Sequence, residues 1–356
     1  MGDQGMKIGY SCWGFLGSGV TDTPDGGRSH RRTLVDGLIA AGHEIVLLQT
    51  NRDLAEAGTD LTATYRWDDG LPEIDALFLE WRWPIPSRNT TACGAEGHTC
   101  DLHRQQELLD HYTHRLAVRT VLWDKDQQLP ADDPLRTVRH LQVCEPALYP
   151  SPGAASLLFP VADDALDQAY PAALAAEKRL LPLVYIGNQY DRDTAFEEFF
   201  ARAAAQLPHR VAGKWNSTAR WPEVNFTGRI PFDEVTPTYR SAVATVLLAP
   251  DRYARTGQFT QRLFEAVLGG CLPLAPRTLR ATETVVPREL VVTSAADVVA
   301  TVTTLARIAG SQAHADLIAR CLDRLDLFRL TRQLRTLTAA LTGTTIPPLL
   351  LEGNHA

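Results

Sequence analysis

Short apolar runs of strand length alternate with amphipathic helical stretches along this chain, and the alternation starts twice. Lys7–Tyr10, Glu44–Gln49, Ile74–Leu79, Thr120–Trp123 and Leu141–Cys144 read as strands, with helices expected over Ser29–Ala41 and Leu102–Leu116. Strands covered by helices on both faces are continuously apolar, and a helix between two strands enforces parallel pairing. After a connection through Pro150–Ala162 and the Ala-rich stretch beyond it, the pattern restarts. Leu181–Ile186, Arg210–Ala212, Val224–Phe226, Ala244–Ala249, Leu272–Ala275 and Leu290–Val292 read as strands. Helices are expected over Thr194–Gln206 and from Ala296 to about Thr342. The expectation is an α/β chain of two Rossmann-like halves with a cleft between them, divided at about residue 165. At 356 residues the chain is long enough for two cores.

In open parallel sheets, ligands bind beyond the carboxyl ends of the strands. The polar loops there are Thr21–Arg28, Glu80–Arg82, Asp124–Asp126, Gly187–Arg192 and Asp251–Gln261. The richest stretch is 256–276, which reads as a glycine-bearing loop, a short helix, a tight turn and a buried strand. Phe264, Val267, Leu268 and Cys271 share one apolar face at i, i+3, i+4, i+7 spacing. Arg262, Glu265 and Gly269 fall on another face, where they can meet one ligand. Thr260 is the expected N-cap, and the free N–H groups behind it attract phosphate. A carboxylate further in, Glu265, can accept two ribose hydroxyls.

Composition narrows the partners. No run is apolar enough to span a membrane, and the N-terminus lacks a basic-then-apolar leader, so a cytoplasmic protein is expected. Residues 1–160 carry 14 Lys+Arg against 22 Asp+Glu, and the remainder 21 against 20. Nucleic-acid binding through phosphates needs a basic excess, which the first half lacks. Six cysteines are present, and those in apolar segments are expected as free thiols. Cys93, His98, Cys100 and His103 are zinc-ligand residue types, but their spacing is not one of the usual zinc patterns.

Four stretches, in order, carry a resemblance to a known family. They are Asp25-Gly26-Gly27-Arg28-Ser29-His30 with Ala41–Val46, Ser151–Pro160, Tyr185-Ile186-Gly187-Asn188-Gln189-Tyr190-Asp191-Arg192, and Arg262-Leu263-Phe264-Glu265-Ala266 with Gly269-Gly270. Together they resemble the GT-B-fold glycosyltransferases, and within them the group that includes CgeB-like spore-maturation proteins. The resemblance implies an acceptor-side domain over 1–165, a donor domain over 166–325, and a final segment, 326–356, whose helix packs back on the first domain. It implies metal-independent transfer of a sugar from a nucleoside diphosphate, UDP favoured, to a hydroxyl acceptor. No cofactor beyond that co-substrate is expected.

By this likeness Glu265 holds the ribose, the 257–262 backbone holds the diphosphate, and Arg192 and Lys214 neutralise the leaving group. Gly187, Asn188, Tyr190, Arg252, Gly257, Gln258, Phe259, Thr260 and Arg262 complete the expected donor set. Gly26, Gly27 and Arg28 form an acceptor or phosphate-side loop. An acceptor hydroxyl needs a base, for which Asp22, Asp25, Glu80 and Asp124 are the candidates. Trp81, Trp83 and Trp123 are placed to stack on a ligand or to pack in a core. His30 and His43 read as helix-surface and strand-flank residues. Many retaining members carry an acid eight residues before the ribose glutamate. Gly257 stands there, so the stereochemical outcome stays open.

Rival readings remain. Asp124-Lys125-Asp126 imitates the metal-binding DxD of the other large glycosyltransferase fold. A nucleotide-sugar epimerase or a non-catalytic nucleotide-sugar-binding protein would use the same donor stretch. The N-terminal strip is also similar to glycosyltransferases of actinobacterial phages, some of which decorate modified DNA bases; the acidic first half opposes that acceptor. An oxidoreductase is disfavoured, because the first loop lacks a compact G-x-G-x-x-G.

Overall fold

The computed structural model of the chain describes residues 5–17 and 27–349. Asp22, Asp25 and Gly26 lie outside the described residues. Two compact units are present. One holds the N-terminal strand, Gly27–Pro160 and the described C-terminal segment 330–349, and the other holds Val161–Arg329.

The first unit is built on a seven-stranded parallel sheet. Its strands are β1 (Lys7–Ser11), β2 (Glu44–Leu47), β3 (Arg66–Trp67), β4 (Ala76–Glu80), β5 (Arg119–Trp123), β6 (Leu141–Glu145) and β7 (Ala155–Ser156). The spatial order is β3-β2-β1-β4-β5-β6-β7, so the chain reverses direction of winding between β1 and β4. Residues 76–80 are buried throughout, as the unbroken apolar run requires. Leu77, Leu79 and Leu122 are fully buried in the core, each contributing about 2 kcal/mol of apolar burial.

Helix Leu330–Thr342 belongs to this first unit. Its Ala340 carbonyl accepts from Arg119 Nε at 2.7 Å, and Gln333 Oε1 accepts from Leu158 N at 2.8 Å. A Cβ at Gly37, on helix Arg28–Ala40, would meet the Leu330 side chain at 2.9 Å, so the glycine is what admits that helix.

The second unit holds a five-stranded parallel sheet in the order β12-β11-β10-β8-β9. The strands are β8 (Leu181–Ile186), β9 (His209–Ala212), β10 (Ala242–Val246), β11 (Leu272–Pro276) and β12 (Val291–Val292). Winding reverses between β8 and β10. The strand expected over Val224–Phe226 is reduced to a single bridge between Val211 and Phe226. Helices Ala295–Ile308 and Gln312–Arg324 follow, capped by Ser294 and Ser311 side chains. No helix among the described residues is long and apolar enough to cross a membrane.

Candidate functional site

In the second unit, the loops after β8 and β9 and the start of helix Arg262–Leu268 meet through hydrogen bonds. Asn188 Oδ1 accepts from Lys214 N at 2.7 Å, and Gln189 N donates to the Lys214 carbonyl at 2.8 Å. Trp215 Nε1 donates to the Gly187 carbonyl at 2.8 Å. Arg262 Nε reaches back to the Ile186 carbonyl at 2.8 Å, and its Nη1 to Thr260 Oγ1 at 3.2 Å. Gly187, Asn188, Lys214, Thr260 and Arg262 therefore form one cluster at the carboxyl ends of β8 and β9.

Gly187 owes its place to close approach rather than to a turn. A Cβ there would stand 2.7 Å from Arg262 Nε and 2.8 Å from the Tyr185 hydroxyl. Beneath it, Arg192 is 5% exposed. Its Nη1 donates to the Tyr185 hydroxyl at 2.6 Å and its Nε to the Tyr190 carbonyl at 3.0 Å. Burial pushes the Tyr185 phenol up, but Arg192 and Arg262 outweigh it and hold the group below its ordinary value. Two guanidinium groups thus share one phenol at the strand ends, a concentration of positive charge in a dry setting. Arg192 is accordingly a buried residue rather than a surface one. Lys214 has an exposed side chain.

Arg252 bonds Asp191 at 2.8 Å and lies over the rings of Tyr190 and Tyr253 at 5.1 and 5.0 Å. Asp191 carries a φ of 47°, a conformation costly for a non-glycine residue and typical of functional loops. Gly257 ends helix Asp251–Thr256 with φ 64°, while Gln258 and Phe259 are buried at 2% and 4% exposure. Neither side chain stands open to a ligand, and the Gln258 N–H is taken by the Tyr253 carbonyl at 3.0 Å.

Helix Arg262–Leu268 is seven residues long with Gln261 at its N-cap, and no side chain caps it. Thr260 is not the cap; its hydroxyl is taken by Arg262. The buried face is Leu263, Phe264, Ala266 and Val267, continued by Cys271, whereas Leu268 is half-buried. Glu265 is half-buried on the other side. Burial, then the Glu265 charge, push the Tyr239 phenol well up. The close approach at Gly269 is made by Tyr239 itself, whose Cβ would stand 2.8 Å from an added methyl.

In the first unit the candidate acids are placed differently from expectation. Glu80 is the last residue of β4, fully buried, and its oxygens receive Arg31 Nε and Nη2 at 3.0 Å each and Lys125 Nζ at 2.6 Å. The Tyr10 hydroxyl donates to it as well. Burial raises the Glu80 carboxyl, but Arg31 and Lys125 outweigh burial and hold it well below the usual carboxylate range. A sealed, strongly paired carboxylate is a poor proton acceptor, so Glu80 is a structural hub.

Asp124 is also buried, with its two oxygens accepting from Gln128 N and Leu129 N at 2.9 and 2.8 Å. Burial lifts it to about 6 against the pull of those N–H groups. It shapes the turn after β5, and Lys125 points to Glu80. The Asp124-Lys125-Asp126 step is thus not a pair of open metal-facing carboxylates. His30 is buried against Trp123 and Phe159, with ring centroids 5.5 and 4.4 Å away, rather than on the helix surface. His43 is buried too, its Nδ1 accepting from Met6 N at 3.1 Å. Trp123 is a core residue, while Trp81 and Trp83 are half-buried. Gly27 accepts from His30 N and Arg31 N to open the first helix.

A pocket of about 540 Å³ opens at the carboxyl ends of β1 and β2, lined among others by Ser11, Gln49, Arg52, Arg82, Cys100 and His103. Arg82 is 5% exposed; its Nη1 donates to the Glu80 carbonyl at 2.9 Å, and its Nε has no hydrogen-bond partner among the described residues. Sequence reasoning passed over this arginine, although it ends the Glu80-Trp81-Arg82 loop. The second unit has a smaller pocket of about 240 Å³ beyond β10 and β11, and none of the expected donor residues lines it.

Residues 192–325 match a family model described as "Glycosyl transferase-like". No curated protein matches the chain by sequence. Among solved structures, the chain is similar to a T4 phage β-glucosyltransferase in complex with UDP and Mn2+, at 13% identity and TM-score 0.64, covering 94% of this chain and 99% of that one. It is equally similar to an α-glucosyltransferase in complex with UDP-glucose and DNA containing an abasic site, at 10% identity and TM-score 0.64, over 95% and 100% of the chains. A glycosyltransferase involved in avilamycin A biosynthesis matches at 15% identity and TM-score 0.58, over 96% and 100%. The fold is therefore that of the GT-B glycosyltransferases.

Proposed function

We propose that the chain is a glycosyltransferase of the hexosyltransferase class that moves a sugar from a UDP-sugar to a hydroxyl acceptor. One observation carries the reading: within the segment that matches the glycosyltransferase-like family, Arg192, Lys214, Arg262 and Glu265 stand on the strand-end loops and on helix Arg262–Leu268 of one parallel sheet. Carboxylate and cations in that arrangement fit the two ends of a nucleoside diphosphate. Glu265 accepts from the ribose hydroxyls. Lys214 meets the departing diphosphate, and the Arg192–Tyr185–Arg262 cluster keeps positive charge fixed behind it, where preorganised charge is worth most. In this reading no divalent ion is required, and added Mg2+ or Mn2+ leaves the rate unchanged. Asp22 and Asp25 stay as candidates for the base, since Glu80 is committed to its cations.

A second reading takes a modified DNA base as acceptor. It is favoured by the likeness to a DNA-modifying β-glucosyltransferase and to the DNA-bound α-glucosyltransferase. The acidic balance of the first half weighs against it.

A thermal-shift panel of nucleotide sugars tests the donor claim. A ligand at a hundred times its dissociation constant adds about 2.7 kcal/mol to the folded state, which for a unit of this size is a rise of roughly 5–10 °C. Stabilisation by UDP and one UDP-sugar is expected, and a flat panel across all nucleotides sinks the reading.

A further inference from the structure

The loop that joins β4 to helix Asp101–Leu108 runs from Trp81 to Cys100 without strand or helix. Loops of that length inside a compact unit usually carry a function or a clip. This one is folded by two tight turns, with Ala95 N donating to the Ala92 carbonyl at 3.0 Å and His98 N to the Ala95 carbonyl at 3.1 Å. Gly94 and Gly97 take φ values of 86° and 76° to make them. Cys100 itself sits at φ 52°, a strained state for a residue with a side chain.

The folding brings four side chains to one point. One ligand atom from each of Cys93, His98, Cys100 and His103 lies within 4.8 Å of the others. Cys93 Sγ is 3.6 Å from His98 Nε2, 3.1 Å from His103 Nδ1 and 3.6 Å from Cys100 Sγ. Around a tetrahedral zinc ion with bonds of about 2.0–2.3 Å, neighbouring ligand atoms stand about 3.3–3.8 Å apart. The other ring nitrogen of His98 is 3.2 Å from the Thr91 hydroxyl, the kind of outer partner that fixes the tautomer of a metal-bound imidazole.

We propose that Cys93, His98, Cys100 and His103 form a structural Zn2+ site. Two thiolates and two neutral imidazoles neutralise the ion and fill all four positions, so no position is left for substrate or activated water. The site is a clasp. It pins the long loop to helix Asp101–Leu108, and because Cys100 and His103 also line the pocket beyond β1 and β2, it fixes one wall of that pocket. A Cys93–Cys100 disulfide is the competing use of the thiols. It needs the sulfurs at about 2.0 Å and gives neither histidine a role. The inference is independent of the donor reading, since all four residues belong to the first unit.

The experiment uses the full chain purified with Zn2+ in the medium and a reductant throughout. Elemental analysis is expected to give one zinc per chain, and Cys93→Ser or His98→Ala to lose it. So that a folding defect in those variants does not decide the outcome, the zinc of the wild-type chain is also exchanged for Co2+. A tetrahedral ligand-field spectrum with thiolate-to-cobalt charge transfer is expected, as is protection of Cys93 and Cys100 from alkylation by bound Zn2+. The other four cysteines are buried and give little background. Absence of stoichiometric zinc, a cobalt spectrum without thiolate charge transfer, or a Cys93–Cys100 disulfide in the purified chain would each overturn the proposal.

Discussion

Replacing Glu80 with glutamine separates a structural hub from a catalytic base. The carboxylate is fully buried and faces Arg31 at 3.0 Å and Lys125 at 2.6 Å, with Tyr10 as a third donor. Glutamine keeps the shape but removes the charge and turns an amide N–H2 toward cations. Removing one partner of a buried ion pair costs about 3–5 kcal/mol. With a urea slope of about 2–3 kcal/mol per molar, the unfolding midpoint of the first unit should fall by roughly 1–2.5 M.

The Glu80 carboxyl titrates lower in the folded state than its usual 4.5. Its contribution is therefore present above that value and is lost as the pH falls toward the folded-state value. Lys125→Met should cost less, because Arg31 still faces the carboxylate, and the double variant should be less destabilised than the sum of the singles. Urea titrations of the four proteins at neutral pH measure all of this. A Glu80→Gln protein with the wild-type midpoint and no turnover would refute the reasoning and restore Glu80 as a base.

Three further outcomes are expected. Gly187→Ala puts a methyl 2.7 Å from Arg262 Nε, so the Arg262 side chain must shift; a loss of about 1 kcal/mol with weakened UDP binding is expected, and unchanged UDP affinity counts against the cluster. Lys214→Ala should leave the unfolding free energy within about 0.5 kcal/mol of wild type, as for a surface residue, while lowering turnover at least tenfold; full activity removes Lys214 from the site. Burial, then Arg179, push the His314 imidazole down to about 4. Between about 6.5 and 4 the unfolded chain then binds the extra proton, so stability should fall with acidification by about 2 kcal/mol after allowance for solvent screening; an identical acid slope in His314→Leu refutes this.

Most strands of both sheets were legible because parallel strands covered on two faces leave continuous apolar runs, as at Ala76–Glu80 or Leu272–Pro276, whereas the two-residue strands β3 and β7 leave no such run. Val224–Phe226 has the composition of a strand but pairs only once with β9, which composition cannot show. Glu80 reads as the start of a loop because a carboxylate normally ends a buried strand. Its compensation comes from Arg31 and Lys125, distant in sequence and silent until the sheet assembles. His30 misled for the same reason, as its aromatic neighbours Trp123 and Phe159 lie on other elements. The residues proposed to hold the donor could be named from the sequence, but the close approach of Gly187 to Arg262 and Tyr185 depends on the three-dimensional fold. The Cys/His quartet was visible as ligand types; its convergence needed the two glycine turns.

The central claim is tested most directly by product formation. The wild-type chain, incubated with UDP-sugars and a hydroxylated acceptor, should release UDP in step with a glycosylated product, and Glu265→Gln should lose at least tenfold in kcat/KM while unfolding at the wild-type midpoint. Release of UDP at full rate by Glu265→Gln, or conversion of the UDP-sugar to an isomer with no product on any acceptor, would contradict it.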